Sequence, residues 1–198
     1  LHYRKQREDI NFAQIQTLRT ILDKQKFKVV IERLSHQLIE NHGDFNHSVL
    51  IGIQPRGIFL AERILSYTQE LIQKNIPYGK LDITFYRDDF KSGKEILIPS
   101  DTNIDFSLEG KKVILVDDVL FTGRTIRSAM DAILDFGRPD KVELMTLIDR
   151  RFSREFPIQA DYVGLTIDSI ITQKVKVYWK AQDKKDEVVL LDHDKKES

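Results

Sequence analysis

Apolar positions recur along this chain in two periods that alternate. Phe27, Val30, Ile31, Leu34 and Leu38 stand three and four residues apart, a spacing that puts them on one face of a helix over Lys24–Asn41. Asp23 precedes that helix as an N-cap, and Gly43 follows it as a stop. Ser48–Ile53 (SVLIGI) is a short β-branched and apolar run that ends at Pro55-Arg56-Gly57, after which Ile58, Ala61, Ile64 and Leu65 resume helical spacing. The pattern predicts strand, tight loop, helix. Leu81–Arg87 (LDITFYR) alternates as a strand does, and the polar stretch Asp88–Gly110, broken only by Ile96–Ile98, reads as a flexible loop with a β-ribbon.

Lys112–Val116 is a continuous apolar run of the kind that a strand covered on both faces requires. Ile126, Ala129, Met130, Ile133 and Leu134 then repeat at helical spacing up to Gly137. Val142–Ile148 reads as another strand, and Val175–Trp179 and Val188–Leu191 as late ones. Strands alternating with helices predict an α/β domain, with a central, mostly parallel sheet flanked by helices and right-handed crossovers. Residues 1–20 read as an N-terminal extension, 21–192 as the domain and 193–198 as a polar tail.

Composition narrows the function classes. A chain of 198 residues can fill one core. Its 31 basic and 31 acidic residues balance, so no global field draws it toward nucleic acid or an anionic membrane. Cysteine is absent, which excludes disulfides and thiolate zinc sites. No apolar run is long enough to span a bilayer, and the first residues are too polar for a signal peptide, so a cytoplasmic protein is expected. The five histidines lack metal-ligand spacing and read as surface residues.

The chemistry gathers at Val113–Thr125 (VILVDDVLFTGRT). In an open α/β sheet, ligands bind beyond the carboxyl ends of the strands, and Asp117-Asp118 is expected at the solvent-facing end of the most hydrophobic one. The next residues, Val119-Leu120-Phe121-Thr122-Gly123-Arg124-Thr125, lead into a helix whose first N–H groups lack intrahelical partners. Gly123 permits close backbone approach, and the threonines add hydroxyl donors, so the cup suits a phosphate monoester. Two adjacent carboxylates can accept hydrogen bonds from sugar hydroxyls and help to hold a hydrated magnesium ion. Alone, an Asp-Asp pair reads more readily as an ordinary polar strand end.

The whole string resembles the phosphoribosyl diphosphate signature of type I phosphoribosyltransferases. More specifically, the chain resembles the bifunctional pyrimidine operon attenuation regulator and uracil phosphoribosyltransferase family. The blocks that carry this are ILDKQ at Ile21–Gln25, IGIQPRGIFLAERI at Ile51–Ile64, GKLDITFYRDDF at Gly79–Phe90, the segment Val113–Pro139, and LIDR with REFPIQADYVG within Leu147–Gly164. The resemblance implies a type I phosphoribosyltransferase fold with a small hood. It also implies transfer of ribose 5-phosphate from phosphoribosyl diphosphate to a pyrimidine, uracil in the family, with magnesium as cofactor and a homodimer as the assembly.

Residue by residue, the resemblance implies that Asp117 and Asp118 hold the ribose, and the metal indirectly, while Val119–Thr125 bind the 5-phosphate. Pro55, Arg56 and Gly57 correspond to the diphosphate loop, where Pro55 replaces the family's more usual threonine or serine. Arg87 heads the loop that closes over the site and neutralises the leaving diphosphate. Asp149 and Arg150 end a strand beside the base, where a base or diphosphate contact and a plain surface ion pair are both open readings. Relatives that use 6-oxopurines carry an aspartate base where this chain has Phe121, which favours a pyrimidine.

Three departures fall where the hood and base site are expected. Arg150–Arg154 (RRFSR) replaces Arg-Gly-His-Arg, Gln159 replaces a usual arginine, and Leu165–Ser169 (LTIDS) replaces a lysine-containing stretch. The family's second role is regulation through messenger RNA bound on a basic dimer face, an interaction dominated by phosphate contacts. The balanced charge, the lost basic residues and Asp168 point away from strong RNA binding by this chain.

Overall fold

The computed structural model describes residues 15–87, 101–170 and 172–193. In chain order the elements are β1 (Ile15–Leu22), α1 (Lys24–His42), β2 (Ser48–Ile53), α2 (Gly57–Ile72), β3 (Tyr78–Leu81), β4 (Lys112–Leu120), α3 (Arg124–Ile133), β5 (Lys141–Arg151), β6 (Tyr162–Asp168), β7 (Gln173–Tyr178), α4 (Lys180–Asp183) and β8 (Glu187–His193). They fall into two units, one of Lys28–Asp168, the other of the residues up to Phe27 with those from Ser169 onward.

The larger unit is built on a parallel sheet of five strands in the order β3-β2-β4-β5-β6. Its register sets Ile51 opposite Leu115 and Leu115 opposite Leu144. Val49, Ile51, Ile53, Val113 and Leu115 pack with Ile126, Ala129, Ala132 and Ile133 of α3 in one apolar cluster. Side chains alternate across a strand, so Gly52 points to the opposite face, where Ala61 of α2 lies close. The two helices thus cover the two faces, which explains why β2 and the inner part of β4 are buried on both sides. Each fully buried leucine, isoleucine or valine here stabilises the fold by roughly 1.5–3 kcal/mol.

The expected helix over Lys24–Asn41 forms, and Asp23 caps it by accepting the Lys26 N–H at 2.9 Å. Three expectations change. The strand predicted over Leu81–Arg87 stops at Leu81, because the Asp82 carboxylate accepts the N–H and hydroxyl of Thr84 and folds the chain into a turn over Thr84–Tyr86. Strand β4 runs through Asp117 and Asp118 to Leu120, so the acids lie inside the strand, 8 % and 7 % exposed, and not at a solvent-facing end. Strand β5 likewise continues through Asp149 and Arg150 to Arg151. Of the loop expected over Asp88–Gly110, residues 88–100 lie outside the described residues, and Asn103 bridges to Lys80.

The histidine reading also needs correction. The His42 side chain is 1 % exposed and sits at the amino ends of the strands. Its Nδ1 lies 2.8 Å from the Ser48 hydroxyl, and its Nε2 lies 2.9 Å from Glu143 and 3.0 Å from the Tyr162 hydroxyl. The Tyr162 hydroxyl donates to Glu143 at 2.9 Å, and Lys141 donates to the other carboxylate oxygen at 2.5 Å. The spacing that made the helix amphipathic marks no special role for its last residue, so this cluster was not legible as a pattern.

The smaller unit is an antiparallel sheet in the order β1-β8-β7. Its first strand begins at Ile15, inside the stretch read as an extension. Trp179, 1 % exposed, meets the Phe27 ring edge-on at 5.2 Å. Of the three departures, RRFSR lies on β5 and the loop after it and Gln159 on that same loop, both in the larger unit, whereas LTIDS runs along β6 and ends at Ser169, the first residue of the C-terminal part of the smaller unit.

Candidate active site

From β2 the chain passes outward through α2 to β3, then returns to the other side of β2 as β4. Such a reversal of strand order opens a crevice beyond the carboxyl ends of the strands. Two segments converge there. One is the loop from Gln54 to Gly57, whose Gln54–Pro55 peptide is cis. The other is the end of β4 with the turn into α3.

Arg56 and Asp118, 62 residues apart in sequence, form a hydrogen-bonded ion pair, Nε to Oδ2 at 2.9 Å. The diphosphate loop and the ribose acids predicted from sequence are therefore brought together. Gly57 makes the approach feasible, since a Cβ there would lie 2.3 Å from the Val116 carbonyl oxygen and 3.0 Å from the Asp117 Cα. A side chain at this position is excluded by backbone, which cannot swing aside.

Asp117 accepts the Asp118 N–H at 2.9 Å. Burial, reinforced by the neighbouring Asp118 charge, pushes its carboxyl up to about 8. Two adjacent acids held out of water, one of them bonded by a guanidinium, form a site that gains by receiving hydroxyl donors or positive charge. Thr146 supports them from β5: its Oγ1 accepts the Leu120 N–H at 3.2 Å and lies 3.3 Å from the Asp118 carbonyl. Sequence reading passed over Thr146, although with Glu143 it is one of the two polar residues in the run Val142–Ile148.

Past the acids, Val119 and Leu120 complete β4, and Phe121, Thr122 and Gly123 turn the chain into α3. Gly123 has φ +90°, the left-handed region that favours glycine, and its carbonyl accepts the Arg127 N–H at 2.9 Å. The Thr122 carbonyl accepts the N–H groups of Glu155 and Phe156 at 2.9 and 3.1 Å. Arg124 is paired with Glu155, and Thr125 is half-buried in the first turn of α3. The ten-residue helix α3 thus begins just beyond the carboxyl end of β4, with the first N–H groups that a helix leaves without intrahelical partners.

Arg150, 4 % exposed, lays its guanidinium over the Phe121 ring at 3.9 Å, and burial lowers its pKa. Asp149 pairs with Arg154, so the surface ion pair that was one reading of Asp149-Arg150 is replaced by two buried or half-buried contacts. Arg87 follows the Thr84–Tyr86 turn in extended backbone, half-buried at the end of the described segment. Asp168 is bonded by the Arg151 guanidinium at 2.7 and 3.1 Å. No group of three or more metal-binding side chains occurs among the described residues.

A family profile described as phosphoribosyl transferase domain matches residues 17–182. The chain belongs to the phosphoribosyl transferase family. Within that family it is similar to Bifunctional protein PyrR of Actinobacillus pleuropneumoniae, 46 % identical over 171 residues that cover 86 % of this chain and 95 % of that protein. Bifunctional protein PyrR of Geobacter sulfurreducens is 45 % identical over 170 residues, covering 86 % and 96 %. Among solved structures, a hypoxanthine phosphoribosyltransferase from Staphylococcus aureus superposes with TM-score 0.66 at 22 % identity, covering 88 % of this chain and 93 % of that one. The phosphoribosyl transferase fold expected from sequence is thus present, with the five-stranded parallel sheet at its centre. Among the described residues, no helix is long and apolar enough to cross a membrane.

Proposed function

We propose that this protein transfers ribose 5-phosphate from phosphoribosyl diphosphate to a pyrimidine base, uracil first, giving UMP and diphosphate. The observation that carries this reading is the Arg56–Asp118 pair, which joins the diphosphate loop to the ribose acids at one crevice. In the reaction a bond forms between a ring nitrogen of the base and C1 of the ribose. The C1–O bond to diphosphate breaks, its electron pair leaves on diphosphate, and the nitrogen's proton passes to solvent.

Asp117 and Asp118 accept the ribose hydroxyls, and Val119–Thr125 anchor the 5-phosphate at the α3 N-terminus. Arg56 and Arg87 meet the charge of the departing diphosphate, with Pro55 and Gly57 shaping its loop. Phe121, backed by Arg150, presents a ring where 6-oxopurine-using relatives carry an aspartate, and this favours a pyrimidine acceptor. Positioning and electrostatics supply the acceleration, without a covalent nucleophile. The two carboxylates would hold a magnesium ion indirectly, through the ribose hydroxyls and water, and such an ion would neutralise charge on the diphosphate. The active form on this reading is a cytoplasmic homodimer.

Incubation with phosphoribosyl diphosphate, magnesium and a panel of bases tests the proposal. The expected result is a pyrimidine nucleoside 5′-monophosphate and diphosphate in equal amounts; no product with any base sinks it. A second reading, a nucleotide-sensing RNA-binding regulator with little catalysis, is favoured by the relatives' bifunctional designation. Gel-shift titration with pyrimidine-operon leader RNA, with and without UMP, separates the two. Binding no tighter than to unrelated RNA at physiological salt removes the second.

A further inference from the structure

The turn that leads into α3 is held from outside by the loop between β5 and β6, and one side chain of that loop makes several of the bonds. Arg154 lies on the loop between β5 and β6, and all three nitrogens of its guanidinium donate. Nε bonds the Ile158 carbonyl at 3.0 Å. Nη1 reaches the carbonyls of Leu120 at 3.3 Å, of Phe121, and of Arg150 at 3.0 Å. Nη2 bonds the Asp149 carboxylate, which fixes the plane of the fork.

The same loop braces the turn at three further points. The N–H groups of Glu155 and Phe156 bond the Thr122 carbonyl. Phe156 and Ile158 stand where a Cβ on Gly123 would project, at 3.3 and 3.2 Å, and Arg124 closes the cage through Glu155. Every carbonyl from Leu120 to Thr122 is thereby turned toward this loop. A peptide whose carbonyl is tethered on one side points the following N–H to the other. Arg154 also bonds the backbone of both Phe121 and Arg150, the two residues whose side chains stack.

We propose that Arg154 is a positioning residue for phosphoribosyl diphosphate: it tethers the carbonyls of Leu120 and Phe121 so that the N–H groups that follow are aimed at the 5-phosphate before substrate arrives. This rests on the phosphoribosyltransferase reading of the same site. Arg154 itself touches no reacting atom; it acts through the turn. Lysine cannot replace it, because three donors on one atom cannot reach Ile158, Leu120, Phe121 and Asp149 together.

Calorimetric titration with ribose 5-phosphate, which carries the phosphate but neither base nor diphosphate, isolates the effect. Arg154→Lys is expected to weaken binding by about tenfold or more, since misplacing a site by about 1 Å can cost 10²-fold. KM for phosphoribosyl diphosphate is expected to rise in step, while kcat falls less. Asp149→Asn, which leaves the arginine in place and frees its fork, gives a smaller shift in the same direction and serves if Arg154→Lys does not fold. A folded variant that binds ribose 5-phosphate as tightly as the wild type, with only its melting temperature lowered, overturns the proposal and leaves the enzyme reading intact. Failure of the wild type to bind ribose 5-phosphate or phosphoribosyl diphosphate overturns both.

Discussion

The two ends of the five-stranded sheet bury ionisable groups in opposite ways. At the amino ends, Glu143 receives hydrogen bonds from Lys141 and Tyr162 and faces His42, and these partners hold its carboxyl below the usual range despite burial. At the carboxyl ends, Asp117 and Asp118 sit side by side, and burial with mutual repulsion lifts Asp117 to about 8. One end is closed and satisfied; the other stores an electrostatic cost that a bound ligand can relieve. Buried charge alone does not distinguish a structural cluster from a reactive one. The number and sign of its partners does.

The strongest way to break this contrast is to neutralise the pair at the carboxyl ends. Asp117→Asn with Asp118→Asn is expected to lower kcat/KM by roughly 10³-fold or more, as loss of preorganised charge at a reacting centre does, while circular dichroism shows a folded chain. Retained turnover would remove both acids from the reaction. Next in size, Gly57→Ala forces the loop from Gln54 to Gly57 away from β4, because the added methyl meets the Val116 carbonyl. A loss of roughly 10²-fold is expected, seen mainly in KM for phosphoribosyl diphosphate, and wild-type kinetics would mean that the loop tolerates the shift.

The satisfied end is expected to respond in stability and not in turnover. Glu143→Gln costs about 1–3 kcal/mol through bonds left unmade, read as a melting shift of about 2–4 °C per kcal/mol, with activity per folded molecule unchanged. The pH dependences also separate. Asp117 binds its proton more tightly folded than unfolded, so its contribution to stability is complete below about 3.8 and is lost as pH rises toward about 8. Asp117→Asn thus gains on the wild type as pH climbs from 5 to 8.5. His42, lowered mainly by burial, and Glu143, lowered by its donors, hold fewer protons folded than unfolded. Their stability is lost as pH falls below 6.5 and on through the carboxylate range, and Glu143→Gln flattens that acid limb. Parallel melting curves for both variants across pH 4–8.5 would erase the distinction between the two ends.

Much of this was legible along the chain because it rests on local rules. Helix α1, its Asp23 cap, strand β2, the tight loop at Arg56 and the turn into α3 each follow from spacing within a few residues. What was not legible depends on partners distant in sequence. Asp117 and Asp118 look like an exposed strand end until β5 extends alongside them and Thr146 supplies a hydroxyl. The Leu81–Arg87 run alternates like a strand, but the Asp82 carboxylate bends it, a competition that hydrophobic period cannot register. His42 gains its role only when Glu143 and Tyr162, about a hundred residues later, arrive beside it. Arg154 drew notice as a departure from a familiar motif, whereas its five acceptors come from three separate stretches of chain.

The central place of β4 also bears on how the molecule reaches activity. Its pairing with β2 closes a loop of more than sixty residues, an entropically slow step compared with the local β5–β6 and helix contacts. Arg56 meets Asp118 only when that step is done. A refolding chain can therefore hold much of its secondary structure and remain silent, and the return of turnover times the closing of the sheet's middle rather than the first collapse.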